Sequence, residues 1–360
     1  MKDIKKLKVI YNNRTVGYLA NNDNQIVFQY DLDWQKDGFS ISPLTLPLNN
    51  NLYISDSNNF EGLFGVFYDS LPDGWGRLLI NRKMQQEGIN YESLSPLVKL
   101  SLIGEYGLGG LQYKPVQYDK EDIKEYDLDY LANVASKVYD DKKSDLDSIY
   151  KCGGSSGGAR PKVHIKYGRQ EWIIKFPCSN DPKDIGVKEY EANDLAAKCG
   201  INVAEYKLFK SNVCKGYFGS KRFDRKGNKR LHTISLSSIL ETTHTIPNLD
   251  YSHFFQVIEK ICVNHDDLLM GYKMMCFNVL YGNKDDHGKN FSFIYDNGYH
   301  LAPFYDVTYT PHKLEHEMTV LGNGNPSEED LINIGMKFRI SKDTCLKIIY
   351  NTKEIIRSNT

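Results

Sequence analysis

At 360 residues, with 45 Lys and Arg against 46 Asp and Glu, the chain carries a formal net charge of -1, too balanced a field to recruit nucleic acid or an anionic membrane surface. Seven cysteines, at Cys152, Cys178, Cys199, Cys214, Cys262, Cys276 and Cys345, are odd in number and form no C-x-x-C pair, which argues against a disulfide framework or zinc ribbon and for reduced thiols. The opening MKDIKKLKVIYNN lacks the apolar core of a secretory signal and no run reaches the ~18 apolar residues of a membrane span, so a cytoplasmic protein of two or three domains is expected, with no membrane partner.

Residues 7–11 and 15–19 flank the turn Asn12-Asn13-Arg14, and residues 25–30 read as a third strand, which predicts a small antiparallel sheet. The segment FEGLFGVFYDSLPDGWGRLLINRKMQQEG starts with an aromatic run, breaks at Pro72 and Gly74, and continues over 76–86 with helical spacing. Phe64, Phe67 and Trp75 read as core there, and no catalytic constellation is visible. Residues 118–151 are strongly charged, with one amphipathic helix over 128–138, and read as a solvated bridge between domains.

CGGSSGGARPKVHIKYGRQEWIIKFP follows. Gly153, Gly154, Gly157 and Gly158 remove side chains where backbone amides can approach phosphate oxygens, although a flexible linker is an equal reading. It is no P-loop, because Ala159 stands where that motif demands lysine. Lys175 lies on the apolar strand WIIKF, where an inward ammonium needs an anion, either a nucleotide phosphate or a carboxylate. The helix VKEYEANDLAAKCGI offers Glu189 or Glu191 as that carboxylate. Strands are expected over 203–209, 216–219 and 221–223, ending at the basic turn KRFDRKGNKR. Helices are expected over 235–243, 251–263 and 266–280, then from the capping residue Ser327 through Met336, and over 341–356.

The densest chemistry is NVLYGNKDDHGKNFSFIYDNGYHLAPFYDV. Asp285 and Asn290 stand five residues apart, the interval at which a kinase catalytic loop sets its base and a metal-binding asparagine, and Asp306 supplies a second metal ligand after a hairpin through Asp296-Asn297-Gly298. Five residues on from Asp286 is Phe291, which binds no metal, so the register selects Asp285. The plainer alternative is a polar turn around Gly288. A competing string, His312-Lys313-Leu314-Glu315-His316, spells the H-x-x-E-H of zinc hydrolases but needs a helix and a third ligand.

Taken together, SSGGARPK, WIIKFP, KRFDRKG, FYDSLPDGWGR and above all NKDDHGKNFSFIYDNGYHLAPFYDV resemble the HipA-family serine/threonine kinases, the toxin half of bacterial toxin–antitoxin pairs. The resemblance spans nearly the whole chain. It implies an α+β fold: a two-lobed protein-kinase-like core, with a β-rich N-lobe and a helical C-lobe, behind an N-terminal β-rich accessory domain. The corresponding boundaries are 1–115 for the accessory domain, 116–150 for an acidic helical bridge, 151–245 for the N-lobe and 246–360 for the C-lobe. It further implies ATP and Mg2+ as cofactors and a protein Ser/Thr hydroxyl as acceptor, plausibly on an aminoacyl-tRNA synthetase or another translation factor. A helix-turn-helix antitoxin partner, with DNA reached only through it, is implied as well. Carried over residue by residue, Asp285 matches the catalytic base, Asn290 and Asp306 the metal ligands, Lys175 the phosphate lysine and Glu189 its partner. Lys221 and Phe223 fall at the adenine hinge, and Ser155, or Ser156, at the autophosphorylated serine of a loop with little packing to hold it. Two adjacent serines leave that register open, and Lys221 replaces the hinge's usual acidic residue. A catalytically silent kinase-like binding module is the non-enzymatic alternative.

Overall fold

The computed structural model describes residues 2–23, 25–56, 58–117, 127–153, 157–243 and 245–359; Gly154, Ser155 and Ser156 lie outside the described residues. The chain divides into two compact units, Met1–Gly186 with Lys207–Ile234 and Ser238–Thr242, and Val187–Tyr206 with Ser235–Ser237 and Thr243–Thr360. The first is rich in strands and the second in helices, as the α+β expectation required.

In the first unit, β1 (Lys6–Tyr11), β2 (Arg14–Asn22), β3 (Gln25–Tyr30), β4 (Tyr53–Ile54) and β5 (Leu111–Lys114) form an antiparallel sheet in the order β4-β3-β2-β1-β5. Asn12 and Asn13 take φ of 44° and 68°, the left-handed pair a tight hairpin needs. Leu7, Val9, Leu19 and Phe28 are buried from alternating positions. Helix Gly74–Gln86 buries Trp75, Leu79, Ile80 and Met84. Helix Pro96–Ile103, capped by Ser95, is buried from Leu97 to Ile103, Lys99 included, whose ammonium meets Glu61 Oε2 at 2.5 Å.

The charged stretch holds more than the one expected helix. After Leu128–Tyr139 comes Leu146–Gly153, which packs against Gly74–Gln86. Its buried Leu146, Ile149 and Tyr150 have the i, i+3, i+4 spacing of a helix face, a signal diluted by the acidic flanks.

A second sheet of the same unit runs β6-β7-β9-β8, from β6 (Lys162–Tyr167), β7 (Gln170–Lys175), β8 (Tyr206–Phe209) and β9 (Tyr217–Lys221). Residues expected as two strands, 216–219 and 221–223, are one strand ending at Lys221, and the strand expected from 203 starts at Tyr206. Beyond β9 the chain turns into a short ribbon, Arg225–Lys226 against Lys229–Arg230. Buried Asp224 accepts from Arg222 Nη2 at 2.6 Å, Arg225 Nη1 at 2.9 Å and the Gly109 N–H at 2.7 Å. Burial raises its carboxyl, but the two guanidiniums outweigh it and hold the group well below the usual range.

The second unit packs helix Asp266–Tyr281 against Tyr251–Ile261 and Lys342–Asn359, over buried Phe254, Phe255, Tyr272 and Phe277. Gly271 allows the close approach: a Cβ there would lie 2.7 Å from Ile258 Cδ1. Helix Glu328–Lys337 starts from a capping box in which Ser327 Oγ accepts from Asp330 N, and Asp330 Oδ2 from Ser327 N. At the end of Asp266–Tyr281, Gly282 turns left-handed at φ 82° and delivers the chain to Asp285.

Candidate active site

Two adjacent carboxylates leave that helix and meet opposite environments. Asp286 is 1 % exposed. Its Oδ2 accepts from Tyr251 Oη and His316 Nδ1, both at 2.8 Å, and its Oδ1 from Glu317 N at 2.9 Å. Burial, and then the Asp286 charge, push the Tyr251 hydroxyl far up, so it stays a donor. Asn278 Nδ2 donates to Tyr251 Oη at 3.0 Å, and Asn283 Nδ2 to Asn278 Oδ1 at 2.8 Å, which completes a buried network under the loop. The side chain of Asp285, by contrast, is 38 % exposed.

Asn290 closes a short 3-10 turn, Gly288–Asn290, and donates from Nδ2 to the Asp285 carbonyl at 2.7 Å. Since a carbonyl only accepts, that bond fixes the amide and leaves Oδ1 as its acceptor. Gly288 packs closely here: a Cβ would sit 2.5 Å from Ser237 Oγ and 2.6 Å from Leu249 Cδ1, so those side chains would have to turn to admit one. The hairpin that follows pairs Ser292–Tyr295 with Tyr299–Leu301, with Asn297 left-handed at φ 58°. It leads through Ala302-Pro303-Phe304-Tyr305 to Asp306, a half-buried residue at φ 56°, a conformation that costs an L residue about 1 kcal/mol. Tyr305 Oη donates to the Lys289 carbonyl at 2.6 Å and lies 2.7 Å from Ser292 Oγ, so the neighbours of Asp306 and of Asn290 are clamped together. An amide oxygen and a carboxylate are hard donors, the kind magnesium takes, and these two residues fit that ion.

The zinc-hydrolase string does not assemble. Residues 311–317 are turns and bends, so His312 and His316 share no helix face, and His316 is spent on Asp286. What the segment presents instead is Lys313. Its Nζ meets Asp285 Oδ1 at 2.5 Å and Glu317 Oε1 at 2.6 Å. Nothing in the sequence spacing singled that lysine out.

Glu189, in helix Ile185–Lys198, is buried in the second unit, while Glu191 is exposed; Lys175 belongs to the first. Lys175 ends β7 in register with Lys162 of β6, its Nζ 5.8 Å from the Phe218 ring centroid. Lys221 pairs with Trp172, and both Lys221 and Phe223 are half-buried. Among the glycines, Gly153 is the last residue of a helix, buried where a Cβ would lie 2.8 Å from the Lys162 carbonyl, so packing accounts for it. Gly157 and Gly158 are held more firmly than expected. Lys162 Nζ donates to the Gly157 carbonyl at 2.6 Å, Gly158 N donates to Asp73 Oδ1, and the Gly158 carbonyl accepts from Trp75 N at 2.8 Å.

Two family models cover most of the chain. Residues 7–114 match the HipA N-terminal domain and residues 154–359 the HipA-like C-terminal domain. The chain belongs to the HipA family. A curated relative of this HipA-family chain, "Putative kinase Y4mE" of Sinorhizobium fredii (strain NBRC 101917 / NGR234), is 29% identical over 152 residues, 38% of this chain and 35% of the relative, so the match spans about a third of that protein. Among solved structures, a chain of the Shewanella oneidensis MR-1 toxin–antitoxin complex of HipA, HipB and operator DNA superposes with a TM-score of 0.74 at 19% identity, covering 98% of this chain and 89% of that one. That likeness is one of fold. No helix among the described residues is long and apolar enough to cross a membrane.

Proposed function

We propose that this chain is a serine/threonine protein kinase that uses ATP and magnesium, and the toxin of a toxin–antitoxin pair. The observation that carries the reading is the division of labour at Asp285-Asp286: the second carboxylate is consumed by the fold, and the first stays accessible with Asn290 bound to its own carbonyl. In this reading Asp285 takes the proton of the acceptor hydroxyl as its oxygen attacks the γ-phosphorus. Asn290 and Asp306 would hold the magnesium, which supplies charge neutralisation at the phosphates. Lys175 would supply a cation for the phosphate oxygens, with Glu189 as its partner carboxylate, Gly157 would lend a backbone amide while the Gly158 N–H stays on Asp73, and Lys221 and Phe223 would flank the base of the nucleotide. Ser155, or Ser156, is the site of self-phosphorylation, and a translation-related protein is the acceptor class. The partner is a helix-turn-helix antitoxin, as HipB accompanies HipA in the Shewanella complex, with DNA reached through it in the cytoplasm.

The test is ADP release from Mg-ATP by wild type and by Asp285→Asn. The variant is expected to lose about 10²- to 10⁴-fold in turnover, the range of general-base catalysis, while binding ATP normally. Wild-type turnover retained by the variant removes Asp285 from the chemistry.

A further inference from the structure

The feature that the base, metal and phosphate roles leave unused is Lys313. Its ammonium lies between two carboxylates, at 2.5 Å from Asp285 and 2.6 Å from Glu317. Two anchors hold it there, and both come from the chain neighbours of Asp285. Lys284 Nζ donates to the Leu314 carbonyl at 2.8 Å and to Asn325 Oδ1 at 3.2 Å. Asp286 accepts from His316 and from the Glu317 N–H. Residues 284 and 286 thus grip residues 314 and 316–317, which forces 313 onto 285. Further back, Thr310 ties the same segment down: its N–H donates to the Gly282 carbonyl at 3.1 Å, and its Oγ1 accepts from Lys284 N at 2.7 Å. Burial lowers the affinity of the Lys313 amine for its proton, but the two carboxylates outweigh that and raise it, so the group is a cation at every physiological pH.

We propose that Lys313 is a further catalytic residue: a fixed ammonium beside Asp285 that contacts the oxygens of the transferred phosphoryl group, with Glu317 as the positioning residue that holds it. The proposal rests on the kinase reading of Asp285. An acceptor hydroxyl hydrogen-bonded to Asp285 would share that carboxylate with the Lys313 ammonium, which is already bound to its Oδ1. In the step, the hydroxyl oxygen forms its bond to the γ-phosphorus and the proton passes to Asp285. The bond from that phosphorus to the bridging oxygen breaks, and its electron pair leaves with the nucleoside diphosphate. Negative charge is shared by the equatorial oxygens throughout, and a preorganised cation there stabilises the transition state more than the ground state. The alternative for the same contact is a plug that silences Asp285 until it is displaced, and the two predict opposite signs.

The experiment compares kcat and KM for ADP release by wild type, Lys313→Met, Lys313→Arg, Glu317→Gln and Asp285→Asn, with nucleotide affinity and melting temperature as controls for folding. Lys313→Met is expected to lose about 10²-fold in kcat with ATP affinity intact, the size of losing one transition-state donor. Lys313→Arg should recover part of that, and Glu317→Gln should lose less than Lys313→Met. An unchanged or raised kcat in Lys313→Met, or a change confined to KM, overturns the proposal. If Asp285→Asn is inactive while Lys313→Met is not, only the role of Lys313 fails; if Asp285→Asn keeps wild-type turnover, or wild type itself releases no ADP, the kinase reading beneath it fails.

Discussion

Asp285 and Asp286 are identical side chains one peptide apart, and their surroundings assign them different work. The Asp286 carboxylate gathers Tyr251, His316 and the Glu317 N–H around an atom cluster that water does not reach. Removing it would strand three buried donors, so Asp286→Ala is expected to destabilise the second unit by about 3 kcal/mol, the cost of breaking one side of a buried charged network. Chemical denaturation checks this, with the midpoint falling well below wild type. Loss of activity in that variant should follow loss of structure, because Lys313 reaches Asp285 only while the segment anchored on Asp286 is in place. A midpoint equal to wild type would mean that those three donors find other partners.

Among the elements, the turn Asp73-Gly74-Trp75 is tied to the glycine-rich segment. Gly74 stands at φ 41°, and a Cβ on it would lie 2.5 Å from the Gly158 carbonyl oxygen, backbone that has little room to yield. Asp73 and Trp75 on either side bond the N–H and the carbonyl of Gly158. Gly158, which looks flexible in sequence, is therefore positioned by an aromatic helix start roughly eighty residues earlier in the chain. Gly74→Ala should push Gly158 away and weaken ATP binding about tenfold, equivalent to ~1.4 kcal/mol of displaced loop. Titration with a fluorescent nucleotide measures this; unaltered affinity would uncouple the turn from the nucleotide site.

Across the molecule, the segments matching the two family models are joined inside the first unit by buried polar contacts, and two of these titrate in opposite senses. His232 is fully buried, with Nε2 donating to the Ile41 carbonyl at 2.7 Å, and burial depresses its pKa to about 4. Its contribution to stability is complete above pH 6.5 and is lost as pH falls toward 4. Glu241 accepts the Gly65 N–H on both oxygens at 3.0 Å, and burial raises its pKa to about 7. Its contribution is complete below pH 4.5 and is lost as pH rises through 7. Each is worth on the order of 2–3 kcal/mol, so the opposing slopes largely cancel between about pH 4.5 and 6.5. In Glu241→Gln the carboxyl no longer ionises and the His232 slope stands alone, so thermal stability should rise steadily from pH 4.5 to 6.5. A flat profile in that variant would remove His232 from the balance.

The sequence by itself determined the family, the α+β class, the hairpins at Asn12-Asn13 and Asn297-Gly298, and the capped helix start at Ser327, and its five-residue interval is what points to Asp285. These signals are local: periodicity, caps, turn chemistry and a five-residue interval are each written within a dozen residues. Tertiary structure alone decided that Gly153 is a packing residue, that Asp73 grips Gly158, and that His316 supports Asp286 instead of binding zinc. It alone brought Lys313 to Asp285 across a separation of 28 residues. No periodicity encodes such contacts. They arise when buried groups must find partners: Asp286 satisfies that demand with His316 and the Glu317 N–H, and Lys284 adds the Leu314 carbonyl of the same segment.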